Sequence, residues 1–240
     1  MSTKIRLYFS DKIQSDLVAH LKKEQSHYIK DVMRLKEGDN FAVFNTQGEW
    51  RAVIQSYEKN GAKIKIMEKA RDKDNEKNIW LAFSPIKQNP LNFVIQKGTE
   101  LGVQRFIPIL SERTIVREIN IERIKKIIVE ASEQSNRISI PEINKPELLK
   151  NFLSKFPKNG SLIFCDINSS QNNLKNILAK NIDGPICIII GPEGDFSENE
   201  RKMIIDLNQT YSISLAKNIL KAETAAISAI TIVNYHLNLT

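Results

Sequence analysis

The stretch Gly191-Pro192-Glu193-Gly194-Asp195-Phe196 follows the aliphatic run PICIII and precedes the segment SENE. A strand that stops at a glycine, with a helix opening a few residues later, leaves a short loop of the kind that holds ligands in α/β proteins. The residue types select among chemistries. The loop lacks the Gly-Lys-Ser/Thr ending with which a P-loop cradles phosphate, and it is not G-x-G-x-x-G. Glu193 would repel a pyrophosphate, so a cationic or neutral ligand suits it better. Gly191 and Gly194 carry no side chain, which lets backbone amides and carbonyls approach a flat ring. Pro192 stiffens the turn. The same residues equally describe a tight strand-to-helix turn with no ligand. A second segment, LAKNILKAETAA (215–226), leads into a helix whose Ala222, Ala225, Ala226 and Ala229 offer a smooth packing surface, to the core or to another subunit. Glu223 stands in its first turn, where a carboxylate suits the helix dipole.

These loops need elements to position them. Runs 78–86, 105–110, 161–167, 185–190 and 211–215 read as strands, and they alternate with helical patterns at 90–102, from Asn120 onward, at 171–180, after Ser197 and at 219–237. Such alternation argues for a mostly parallel sheet covered by helices. Gly102 is a helix stop, Asn120 a helix cap, and Ser197 with Glu200 a capping box. If runs 161–167, 185–190 and 211–215 are neighbours, their loops converge on one pocket. The front of the chain differs. Runs 41–45, 49–58 and 62–70, separated by NTQG and KNG turns, suggest a small antiparallel barrel. A mostly helical stretch is expected between Asp11 and Leu35. The charged segment RDKDNEKN (71–78) suggests a boundary, giving domains at 1–72 and 73–240.

Composition narrows the class. Of the 240 residues, 35 are Lys or Arg and 28 Asp or Glu; the net charge of +7 favours a polyanionic partner. Cys165 and Cys187 sit in apolar runs, as reduced thiols of a cytoplasmic protein do. Without a CxxC or a cluster with the three histidines, a metal site is not expected. No apolar segment reaches membrane-spanning length, so no membrane partner is expected.

Several segments together resemble one family. KQNPLNFVIQKGTELGVQRFIPILSERTIV (87–116), EASEQSNRISIPEI (130–143), IGPEGDFSENE (190–200) and LAKNILKAETAA (215–226) occur in the family's order, after RLYF (6–9) and HYIKDVMRLKEGD (27–39). The resemblance is to the RsmE-type 16S rRNA uridine-N3 methyltransferases of the SPOUT superfamily, and it covers nearly the whole chain. It implies an α/β fold with a C-terminal SPOUT domain, trefoil-knotted with a mostly parallel sheet, behind a small N-terminal PUA-like β-barrel that binds RNA. It further implies S-adenosylmethionine as cofactor, a homodimer, and methylation of a uridine N3 in 16S rRNA of the small ribosomal subunit. The chain departs from the family pattern at Asp195, Ala216, Asn218 and Lys221, which replace glycines or arginines.

On that resemblance, the donor pocket is expected at Phe164, Cys165, Ile190, Gly191, Pro192, Glu193, Gly194, Leu215, Ala216, Asn218, Ile219 and Leu220. The uridine side is expected at Glu112, Arg113, Gln134, Arg137 and Glu223. Lys4, Arg6, Arg34 and Lys36 are expected phosphate contacts, which position RNA rather than read it. Two alternatives stand beside this reading: a non-catalytic RNA-binding or ribosome-assembly protein on the same fold, and a SPOUT methyltransferase with another RNA target.

Overall fold

The computed structural model describes residues 5–73, 76–169, 174, 178 and 183–237. They pack as two compact units. The units are not contiguous in sequence, because Ser132–Ile140 groups with the first, Met1–Asn75, while Glu76–Ala131 and Pro141–Thr240 form the second.

The first unit is built on a five-stranded sheet. Its strands are β1 (Arg6–Tyr8), β2 (Val18–His20), β3 (Asn40–Asn45), β4 (Gly48–Glu58) and β5 (Gly61–Asp72), in the order β1-β3-β4-β5-β2. β1 runs parallel to β3 and the other pairs are antiparallel. Alternate residues of the strands, among them Phe41, Val43, Ile54, Ile64 and Ile66, fill one core with Leu7, Leu21 and Ile29. The mostly helical stretch expected between Asp11 and Leu35 is corrected here. Only α1 (Lys23–His27) and the π-turn Tyr28–Val32 are helical. Before them the backbone is claimed by β5: the Asp16 N–H donates to the Ile66 carbonyl, and the Ile66 N–H donates to the Leu17 carbonyl. Sheet pairing thus overrides the helical spacing of Ile13, Leu17 and Leu21.

The second unit carries β6 (Ile79–Phe83), α2 (Gln88–Glu100), β7 (Arg105–Leu110), α3 (Ile121–Gln134, whose last turn belongs to the first unit), β8 (Glu142–Ile143), β9 (Glu147–Leu148) and α4 (Leu149–Lys155). Then follow β10 (Ser161–Cys165), β11 (Ile186–Ile190), α5 (Glu198–Ile205), β12 (Thr210–Ile213) and α6 (Ala222–His236). The strand order is β12-β10-β11-β6-β7-β8, with β9 added to β7, and every pairing is parallel. The strands are near-continuous aliphatic runs because helices cover both faces of a parallel sheet. Cys187, Ile188 and Ile189 of β11 are fully buried.

The expected punctuation is present. Gly102, at φ +91°, follows α2. The Asn120 side chain accepts from the Arg123 N–H at 3.0 Å at the head of α3. The helix expected over 171–180 lies outside the described residues, apart from Leu174 and Leu178, which are helical and buried. β8, β9 and α4 were not legible: two-residue strands carry no usable alternation.

Candidate functional site

The three strands singled out in the sequence are adjacent, with β10 between β11 and β12. Cys165 pairs with Ile213 and Phe164 with Ile189, so all three end at the same edge of the sheet. Their loops start at Asp166, Gly191 and Ser214, which is where an open α/β sheet takes its ligands.

The loop after β11 is a defined turn. The Asp195 N–H donates to the Pro192 carbonyl at 2.9 Å. Asp195 sits at φ +60°, in the left-handed region that favours glycine. Aspartate is tolerated there because its Oδ1 accepts from the next N–H, that of Phe196, at 2.7 Å. The departure from glycine at this position therefore keeps the turn. Ala216 is not among the described residues with positive φ, so an alanine is unstrained there. A Cβ at Gly191 would stand 3.0 Å from Phe196 Cε2, and the Phe196 ring packs edge-on against Phe164. Gly191 thus lets the loop close over this aromatic pair. Phe164 and Ile190 themselves are core side chains, so only their backbones are available to a ligand. Pro192 and Cys165 are partly buried, and Glu193 and Gly194 are exposed. Burial pushes the thiols of Cys165 and Cys187 well above their ordinary pKa, so both stay protonated.

The loop after β12 runs through Leu215, Ala216, Asn218, Ile219 and Leu220. Among the described residues, none accepts a hydrogen bond from the N–H groups of 215–220. These donors remain for a ligand or water. Ile219 is 85% exposed. The loop enters α6 at Lys221, and Glu223, half-buried in the first turn, makes no side-chain hydrogen bond to another described residue.

A fourth segment joins this edge. After β7, the Glu112 N–H donates to Glu200 Oε1 at 2.8 Å, and Arg113 Nη1 donates to the Gly194 carbonyl at 2.8 Å. A Cβ at Gly194 would meet Arg113 Cδ at 3.6 Å, an ordinary van der Waals contact, so the Arg113 side chain lies directly over this position. Ser111 and Thr114 close the segment with a 2.7 Å hydroxyl contact. The structure therefore brings Glu112 and Arg113 to the Gly191–Gly194 loop.

Sequence reasoning missed the residue that organises the loop after β10. Asp166 is 4% exposed and accepts from Arg201 Nη2 at 2.7 Å, from Arg201 Nε at 3.1 Å, and from the Asn168 N–H at 2.9 Å. The hydrogen bonds to Asp166 hold the Arg201 guanidinium pKa above its ordinary value, so Arg201 stays charged. The available signal was a lone carboxylate directly after the apolar run LIFC.

Gln134 and Arg137 group with the first unit. Gln134 is exposed at the end of α3. Arg137 is 6% exposed, its guanidinium donates to Ser139 Oγ at 2.7 Å, and its carbonyl accepts from Arg6 Nη2 at 2.7 Å. Arg6 requires a correction. It is 7% exposed, paired with Glu49 at 2.6 Å, and donates to the carbonyls of Ser132, Glu133 and Arg137. A guanidinium this fully engaged is not a surface phosphate contact. Arg34 and Lys36 are exposed in the segment before β3, Arg34 at φ +57°. Lys4 lies outside the described residues. No group of three or more His, Cys, Asp or Glu among the described residues could hold a metal ion. None of the described helices is long and apolar enough to cross a membrane.

Residues 73–234 match the family of the RNA methyltransferase domain, and residues 21–67 match the RNA methyltransferase PUA domain. The ribosomal RNA small subunit methyltransferase E of Rickettsia conorii is 34% identical over 228 residues, 94% of this chain and 93% of that protein. The chain belongs to the ribosomal RNA small subunit methyltransferase E family. The Bacillus subtilis member is 28% identical across 90% of this chain and 89% of its own. The crystal structure of the Neisseria gonorrhoeae member bound to S-adenosylmethionine superposes with a TM-score of 0.87 at 28% identity, covering 96% of this chain and 97% of that one. The fold is accordingly α/β of the SPOUT class, with a PUA domain at the N-terminus.

Proposed function

We propose that this protein transfers the methyl group of S-adenosylmethionine to N3 of a uridine in 16S rRNA of the small ribosomal subunit, acting as a cytoplasmic homodimer with its donor site in a trefoil knot. The observation that carries the reading is the adjacency of β11, β10 and β12, whose carboxyl-end loops meet at one edge in a chain of this family.

The residues fit a cationic cofactor with a neutral ring. The N–H groups of 215–220 supply backbone donors for a ring edge, and the exposed side chain of Ile219 supplies apolar cover. Glu193, exposed in the neighbouring loop, can balance positive charge. When bound, S-adenosylmethionine supplies an electrophilic methyl group on sulfur. The chain's own work is then to hold the uridine nitrogen in line with it, which is a positioning task. Gly191–Gly194 with Leu215, Ala216, Asn218, Ile219 and Leu220 would hold the donor side, together with the strand ends at Phe164, Cys165 and Ile190. Glu112, Arg113 and Glu223 serve the acceptor side. Removal of the N3 proton needs a carboxylate or a cation that stabilises the uridine anion, and Glu112, Glu223 and Arg113 are of those types. Arg34 and Lys36 position the RNA through its phosphates. We place the domain boundary at 72/73, where the match to the methyltransferase domain begins.

The test is incubation with methyl-labelled S-adenosylmethionine and small ribosomal subunits from cells lacking the modification. Label entering 16S rRNA is the expected result. Salt-dependent RNA binding without any label, and without cofactor binding, would overturn the reading in favour of a non-catalytic RNA-binding protein.

A further inference from the structure

The first turn of α5 is tied to three strand-end loops, and one carboxylate makes two of the connections. Glu200 is 4% exposed. Its Oε2 accepts from the Ser197 N–H at 3.1 Å, completing the capping box of α5. Its Oε1 accepts from the Glu112 N–H at 2.8 Å, a residue 88 positions away on the segment after β7. A capping box needs only the first of these contacts. The second turns a helix cap into a strut between the Gly191–Phe196 loop and the Ser111–Thr114 segment. Next in sequence, Arg201 binds Asp166 after β10, so the same turn also anchors the third loop. The register of Arg113 on Gly194 therefore depends on where Glu200 holds the Glu112 backbone.

We infer that Glu200 is a positioning residue for methyl transfer: its carboxylate fixes the Glu112–Arg113 segment against the donor loop. The inference rests on the proposed function for its kinetic consequence, though not for its physical one. Glu200→Gln is the informative change, because a neutral amide can accept at one of the two N–H groups while its own NH₂ faces the other. Ser197→Ala is the control. It removes the hydroxyl that accepts from the Glu200 N–H at 3.3 Å, and so weakens the same cap, while leaving the bond to Glu112 in place.

Two readouts are compared in the full-length protein. The first is hydrogen–deuterium exchange of peptides spanning 111–116. Loss of a hydrogen bond to a charged acceptor predicts exchange about tenfold faster in Glu200→Gln, and unchanged exchange in Ser197→Ala. The second is steady-state transfer to small subunits. Glu200→Gln is expected to lower kcat about tenfold with KM for S-adenosylmethionine within about threefold, since the Pro192–Asp195 turn is retained. Ser197→Ala is expected to keep kcat within about twofold. If Glu200→Gln does not fold, Glu200→Asp takes its place; it keeps the charge but is one methylene too short to reach both partners. Wild-type exchange at 111–116 in the Glu200 variant, or a kcat loss no greater than that of Ser197→Ala, overturns the inference. A wild-type protein that transfers no methyl group refutes the proposed function instead, and the exchange result then decides alone whether the carboxylate holds the segment.

Discussion

Arg201→Ala tests how the loop after β10 is held. It leaves the Asp166 carboxylate, whose side chain is 2% exposed, with the Asn168 N–H as its remaining side-chain partner among the described residues. Removing one partner of a fully buried pair costs about 3–5 kcal/mol. Arg201 is itself 30% exposed, and water can move in behind it, so solvent screening brings the cost down to about 2–3 kcal/mol. For a chain of this size, 1 kcal/mol moves Tm by about 2–4 °C, so the variant should melt about 5–10 °C lower. The assay is thermal unfolding of the wild type, Arg201→Ala, Asp166→Ala and the double variant. A coupling energy of at least about 1 kcal/mol is expected, because each single change strands the other group. Affinity for S-adenosylmethionine, read by titration calorimetry, should fall about fivefold or more in the same variants, since misplaced contacts cost heavily in a positioned site. Additive single effects, or a Tm loss below about 1 °C, would refute the account of Asp166 as a buried, charge-paired anchor.

Other changes probe the neighbouring loops and the first unit. Gly191→Ala should cost about 1–3 kcal/mol in thermal unfolding, because the Phe196 ring at 3.0 Å must give way while it is wedged against Phe164. Asp195→Gly should change stability by less than about 1 kcal/mol, whereas Asp195→Val, β-branched at φ +60° and without the bond to Phe196, should cost about 1–2 kcal/mol. Arg6→Met should destabilise the protein by about 2–3 kcal/mol in urea unfolding, since it removes the buried guanidinium that pairs with Glu49 and donates to the carbonyls of Ser132, Glu133 and Arg137, while Arg71 at 3.6 Å still faces Glu49. A simple loss of RNA affinity with unchanged stability would instead restore Arg6 as a surface contact.

Much of the second unit was legible because parallel strands are continuous aliphatic runs. PICIII and SLIFC could be read without knowing the fold, and the capping residues Asn120, Ser197 and Glu200 marked their helices locally. The adjacency of the three loops was conditional until strand order was known, because periodicity carries no information about which strands pair. Glu200 was read as a cap, and its second role depends on a residue 88 positions away, which no local pattern contains. Arg6 illustrates the opposite failure. An arginine in a basic N-terminal stretch reads as a phosphate contact, yet Glu49 and three carbonyls enclose it. In the stretch after Asp11, a helical spacing lost to pairing with β5, because the Ile66 backbone offered partners that a short isolated helix could not match.

The most direct measurement is the identity of the nucleoside that carries the methyl group. Small subunits labelled by this protein are digested to nucleosides, and the product is resolved by chromatography and mass spectrometry. A single labelled species, N3-methyluridine from 16S rRNA, is the expected product. Label on a ribose hydroxyl, on another base, or on another RNA would contradict the assignment of a uridine N3 to this site.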